Sequence, residues 1–219
     1  MTIEAVIFDL DGVLVDSEHV WDDVREGLAR ERGGRWHEAA QADMMGMRST
    51  EWSHYMHEVI GLPESPEEIN AEVVRRMEAR YSEQLPLIEG AVEAVERLAG
   101  SFKLGLASSS NRSLIDVVLS ASGLAVRFEV TVSSEEVERG KPAPDVFVET
   151  ARRLSVPLSR CAAVEDSGSG IRAAHAAAMR VIAIPNRRYP PPADALALAD
   201  VMLDSLAELT PEVIDPQQD

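Results

Sequence analysis

Ile7-Phe8-Asp9-Leu10-Asp11-Gly12-Val13 is an apolar run that stops in two aspartates one residue apart, followed at once by glycine. Val6, Ile7 and Phe8 suit a strand buried in a pleated interior. Nothing in strand stability explains the two carboxylates, which repel each other and are costly to remove from water. A divalent cation would reverse that cost by neutralising them. The bland alternative is that aspartates end strands because they favour turns. The rest of the chain decides between the two.

Moving outward, five more short and nearly all-apolar runs read as strands: Leu104–Ser108, Val130–Ser133, Ala162–Val164, Val181–Ile184 and Val201–Leu203, besides Glu4–Phe8. Such runs are expected of strands covered on both faces. Helical patterns separate them at Ala91–Leu98, Arg112–Ala121, Pro144–Leu154 and Ile171–Ala178. This alternation predicts an α/β fold with a doubly wound, parallel, Rossmann-like sheet, whose ligands sit beyond the carboxyl ends of the strands. Between Asp16 and Pro86 no strand is visible, and the segment is too long for a loop. It reads as helices over Glu18–Glu31, Thr50–Ile60 and Glu67–Glu83, the last introduced by Ser65-Pro66-Glu67-Glu68. The expected division is a catalytic core of residues 1–15 and 87–219 with a helical cap of residues 16–86, hinged near Val13–Asp16 and Gln84–Leu87. Pro190–Pro192 reads as a surface loop and Pro211–Asp219 as a fraying tail.

The 219 residues carry a net charge of −17, which argues against nucleic acid and requires local positive charge wherever an anion binds. Lysine occurs only at Lys103 and Lys141. No apolar stretch approaches membrane-spanning length and no secretory signal opens the chain, so a cytoplasmic location is the default. Cys161, the single cysteine, cannot form an internal disulfide and reads as a small buried hydrophobe. A monomer is the default assembly, with a dimer left open.

Three further stretches carry chemistry. Ser108-Ser109-Ser110-Asn111 ends a strand in hydroxyls before a helix. Asn111 is a natural helix cap, and the hydroxyls with nearby amides suit a phosphate. Lys141 is gripped between Gly140 and Pro142 on stiff backbone, where a compact point charge differs from arginine's fork. Glu165-Asp166 is a second acidic pair at a strand end, followed by small residues. The two pairs together make an oxygen-rich set suited to a hard cation such as magnesium.

In order and spacing these four pieces resemble the haloacid dehalogenase-like phosphohydrolases. The opening through Asp16-Ser17-Glu18 and the helical insertion are similar to the subgroup containing β-phosphoglucomutase and small sugar-phosphate phosphatases. The resemblance implies Asp9 as a nucleophile that becomes an aspartyl phosphate, and Asp11 as general acid and base. It implies magnesium held by Asp9, Asp166 and the main-chain carbonyl of Asp11, with Glu165 in support. It implies phosphate neutralised by Lys141 and held by Ser108 and adjacent groups. Ser109, Asn111, Arg48 and Trp21 are the candidate substrate contacts, with His19, Gly46 and Met47 as further cap residues that could reach inward. Three departures stand out: Trp21 where the sugar phosphomutase has histidine, Glu89-Gly90 for Pro-Gly, and the small Gly168-Ser169. The expected activity is magnesium-dependent hydrolysis of a small phosphorylated metabolite, a sugar phosphate by preference. The alternatives are a phosphomutase and, from another class, a receiver-like phospho-aspartate signalling module.

Overall fold

The computed structural model describes residues 2–216. Six parallel strands lie in the order β3-β2-β1-β4-β5-β6. They are β1 (Ala5–Phe8), β2 (Lys103–Ser108), β3 (Val130–Ser133), β4 (Cys161–Glu165), β5 (Arg180–Ala183) and β6 (Val201–Met202). The chain leaves β1 toward β2 on one side and later returns to β4 on the other. The switch point of the sheet is therefore the seam between β1 and β4, where ligands of doubly wound sheets bind.

The apolar runs are continuous because both faces are covered. Along β1, Val6 and Phe8 enter one cluster with Leu104, Leu106 and Val164, while Ala5 and Ile7 enter the other with Ala107 and Ala163. Helices α5 (Ala91–Ala99) and α6 (Arg112–Ser122) cover the first face; α7 (Asp145–Leu154) and α8 (Gly168–Ala176) cover the second. Phe8 is fully buried and meets the Phe128 ring edge-on at 6.0 Å. Truncating it to alanine would cost about 3–5 kcal/mol.

Four helices fall between β1 and α5: α1 (Glu18–Glu31), α2 (Ala40–Met44), α3 (Ser49–Tyr55) and α4 (Pro66–Glu83). The start signal of α4 works as a capping box: Ser65 Oγ accepts from the Glu68 amide at 3.3 Å, and Glu68 accepts from the Ser65 amide at 3.0 Å. The single helix expected over Thr50–Ile60 is instead α3 running into a wider turn over Met56–Ile60, closed by Gly61. The two crossings out of and into the sheet run side by side. Asp16 N–H donates to Pro86 O at 2.8 Å, and Ile88 N–H to Leu14 O at 3.0 Å.

Two further expectations are corrected. Asn111 stands before α6 but its side chain does not cap it; the Arg112 amide is taken by Glu135 Oε2 at 2.8 Å. The tail does not fray over Pro211–Ile214, which is α10 (with α9 at Ala193–Leu196), because Ile214 is fully buried and Asp215 accepts from the Ile3 amide at 3.0 Å. Residues 217–219 of that expectation lie outside the described residues.

Candidate active site

β1, β2 and β4 deliver their carboxyl ends to one place. Asp9 follows β1, Ser108 ends β2, Glu165 ends β4 and Asp166 follows it. Lys141 reaches in from the loop before α7. Its Nζ donates to Asp9 Oδ1 at 2.8 Å, Glu165 Oε1 at 2.6 Å and Ala107 O at 3.1 Å, and lies 5.0 Å from the Phe147 ring centre. All four charged groups are buried.

Three carboxylates against one ammonium leave the site short of positive charge. Burial pushes the Asp9 carboxyl up to about 8; Lys141 pulls it down, while Glu165 and Asp11 add to the rise. Burial also raises Asp166, with Glu165 and Asp9 contributing. Burial alone would lower Lys141, yet the flanking Asp9 and Glu165 carboxylates carry it above its ordinary value. Such a trio is costly without another cation.

The donor set fits a small divalent ion. Oxygens of Asp9, Glu165 and Asp166 lie within 4.8 Å of one another. Glu165 is already engaged at both oxygens, with Lys141 on one and the Asp166 and Ser167 amides (3.1 and 3.3 Å) on the other. Asp9 Oδ2 and Asp166 Oδ1 take no hydrogen bond among the described residues, whereas Asp166 Oδ2 is steadied by Asn186 Nδ2 at 3.2 Å. Hard carboxylate oxygens left free in this way suit magnesium. Gly12 makes room for them. With φ at 81°, a Cβ there would fall 1.9 Å from Asp166 Oδ2.

Asp11 faces another way, and its carboxylate is not among that trio. Its Oδ1 accepts from Ser17 Oγ at 2.6 Å and from Trp21 Nε1 at 3.2 Å. Its Oδ2 accepts from Ser110 Oγ at 2.6 Å and, at the outer limit of 3.5 Å, from Ser108 Oγ. A metal role for Asp11 therefore rests on its main-chain carbonyl alone. Three of the four partners are hydroxyls, which can rotate to accept, so the carboxyl can be held in either protonation state.

Helices α1 to α3 roof a cavity of about 50 Å³ whose walls include Asp9, Asp11, Trp21, Arg25, Ser109 and Lys141. That volume takes a few waters. The roof sits close to the sheet. Gly46, at φ 73°, lies where a Cβ would come within 2.2 Å of Ser169 Oγ, and its carbonyl accepts from Ser109 Oγ at 3.2 Å.

The expected substrate contacts divide. Trp21 and Ser109 line the cavity. Arg48 does not: its Nη1 donates to Glu138 O at 2.7 Å, which ties the helical segment to the loop carrying Lys141. Asn111 does not line it either, since its Nδ2 bridges Asn70 Oδ1 (3.2 Å) and Glu135 Oε1 (2.7 Å). Ser108 lies behind the wall, taking the Ser110 amide at 3.0 Å. His19 stays half exposed near Asp16. Ser17, Glu18, Arg25 and Asn186 belong to the site and were not expected there. Arg25 was within reach of a sequence argument, because it follows Trp21 by four residues and shares its helix face.

A family profile described as haloacid dehalogenase-like hydrolase matches residues 3–178. Hexitol phosphatase B of Escherichia coli (strain K12) is 35% identical over 95% of this chain and 95% of its own. The bifunctional riboflavin kinase/FMN phosphatase of Arabidopsis thaliana is 31% identical over 93% of this chain, which spans about half (54%) of that protein. Among solved structures, β-phosphoglucomutase of Clostridium difficile superposes with a TM-score of 0.85 over 98% of this chain and 96% of its own; at 24% identity this likeness speaks to the fold.

Proposed function

The chain belongs to the haloacid dehalogenase-like hydrolases, and from that we propose that it is a magnesium-dependent phosphatase of a small phosphorylated metabolite, a sugar phosphate by preference. The observation that carries this reading is the division of labour between two aspartates one residue apart. Asp9 is held by Lys141 within the acidic trio, and Asp11 is held by hydroxyls and an indole under the helical roof.

In this reading residues 16–86 form the cap and residues 1–15 and 87–219 the core. A carboxylate oxygen of Asp9 attacks phosphorus, forming an aspartyl phosphate as the bond to the leaving alkoxide breaks. Asp11 gives that alkoxide a proton, then takes one from the water that attacks phosphorus and frees Asp9. Asp9 and Asp166, backed by Glu165 and the Asp11 carbonyl, would hold magnesium, which offsets the repulsion between carboxylate and phosphoryl oxygens and steadies the charge of the transition state. Lys141 neutralises the same charge from the other side, and Ser109 and Ser110 are placed to hold phosphoryl oxygens. Among the described residues no helix is long and apolar enough to cross a membrane, which fits a small dissolved substrate.

Membership in a hydrolase family removes the signalling-module alternative. The mutase alternative calls for a histidine where Trp21 stands. The test is a screen of phosphorylated metabolites with magnesium, reading inorganic phosphate. Release from sugar phosphates supports hydrolysis. Absence of release from every ester overturns it, and phosphoryl exchange with a sugar bisphosphate without net release selects the mutase.

A further inference from the structure

Asp9, Lys141 and Asp166 account for the phosphoryl end of the cavity; the roof end holds a cation that they leave unexplained. Arg25 of α1 is 4% exposed and lines the cavity. Its guanidinium lies 4.4 Å from the Trp21 ring centre and 4.7 Å from that of Trp52. Of its five N–H donors, one reaches Gln41 Oε1 at 3.3 Å, and Nε is buried with no partner among the described residues. Buried donors left unmade are costly, and the guanidinium that carries this one stands at the wall of the cavity. Gln41 extends the chain, donating to Glu18 Oε2 at 2.9 Å, and Glu18 lines the same cavity.

We infer that Arg25, held by Gln41 and the two indoles, is the specificity-determining group that hydrogen-bonds the hydroxyls of a neutral polyol leaving group, with Glu18 accepting from the same hydroxyls. The inference rests on the phosphatase reading above and names the alcohol it releases. A hydroxyl both donates and accepts, and a guanidinium beside a carboxylate offers the complement of each. A second anion on the substrate fits worse. Glu18, Asp11 and Asp22 already answer the charge of Arg25, so a further carboxylate or phosphate would meet their repulsion.

The experiment is calorimetric titration of the Asp9→Asn protein, with magnesium, using a hexitol 6-phosphate, phosphoglycolate and inorganic phosphate. The hexitol phosphate is expected to bind about tenfold or more tighter than either anion. Adding Arg25→Met is expected to cut the hexitol-phosphate to phosphate affinity ratio about tenfold to a hundredfold, the worth of hydrogen bonds to a charged group. Arg25→Lys keeps the charge and loses the fork, so it serves as the second variant if the methionine protein does not fold, with a drop in the ratio of about fivefold. An unchanged ratio in the folded variant, or a preference for phosphoglycolate, overturns the inference. Failure of the phosphatase reading shows separately, as a wild-type protein that binds these ligands and releases no phosphate.

Discussion

Trp21 donates its indole N–H to Oδ1 of Asp11 at 3.2 Å, so a side chain of the first roof helix touches a strand-end carboxylate directly. An indole can only donate, which keeps Oδ1 an acceptor and confines a transferable proton to Oδ2. Oδ2 is the oxygen that meets Ser108 and Ser110, on the side of the sheet. The tryptophan that departs from the phosphomutase pattern thus fixes one face of the Asp11 carboxylate.

Trp21→Phe keeps the ring packing against Trp52 and Arg25 and removes this donor. Steady-state kinetics should show kcat reduced about tenfold with KM little changed. An unaltered kcat would remove Trp21 from the handling of Asp11.

Lys141→Met leaves Asp9, Glu165 and Asp166 buried without their ammonium. Breaking a buried pair of this kind costs about 3–5 kcal/mol. Urea unfolding in EDTA should register that loss, and magnesium should recover more stability in the variant than in the wild type. Equal magnesium effects in both proteins would separate the lysine from the metal site.

Removal of magnesium should silence turnover, and its return should restore it. Calcium should restore little, since it tolerates looser and larger coordination than the octahedral magnesium shell. Full activity in EDTA would rule out the metal dependence.

Glu18, on α1, supplies a pH test. Burial pushes its carboxyl up to about 7, with Asp11 adding to the rise and Arg25 opposing it. A carboxyl raised in the fold above its unfolded value of 4.5 favours the native state while protonated, and that contribution is lost as pH climbs through about 7. The loss amounts to about 3 kcal/mol, so Glu18→Gln should gain stability over the wild type at pH 8 and not at pH 4, as read by urea unfolding. A constant difference between the two proteins across pH would refute this.

Much of this was legible in the sequence. Strands covered on both faces write themselves as unbroken apolar runs, so β1 to β6 were found within a residue or two. Asp9, Lys141, Glu165 and Asp166 were marked because two strand-end acidic pairs and a pinned lysine recur together in one order along the chain. The roof was less legible. Arg48 and Asn111 look like ligands in isolation, and only tertiary packing shows them joining the helical segment to the loops of the sheet. Helices of four or five residues such as α2, α9 and α10 give too short a period to detect. Arg25 shares a helix face with Trp21, yet a helical arginine is read as solvated until burial is known.

Whether Asp9 carries the phosphoryl group is decided by acid-quenching the wild-type protein during turnover of a sugar phosphate and mapping the modified peptide by mass spectrometry. Phosphate on the peptide at Asp9, lost in Asp9→Asn, is the expected outcome. Released phosphate with no modified protein at any quench time, or modification at another residue, would contradict a covalent route through Asp9.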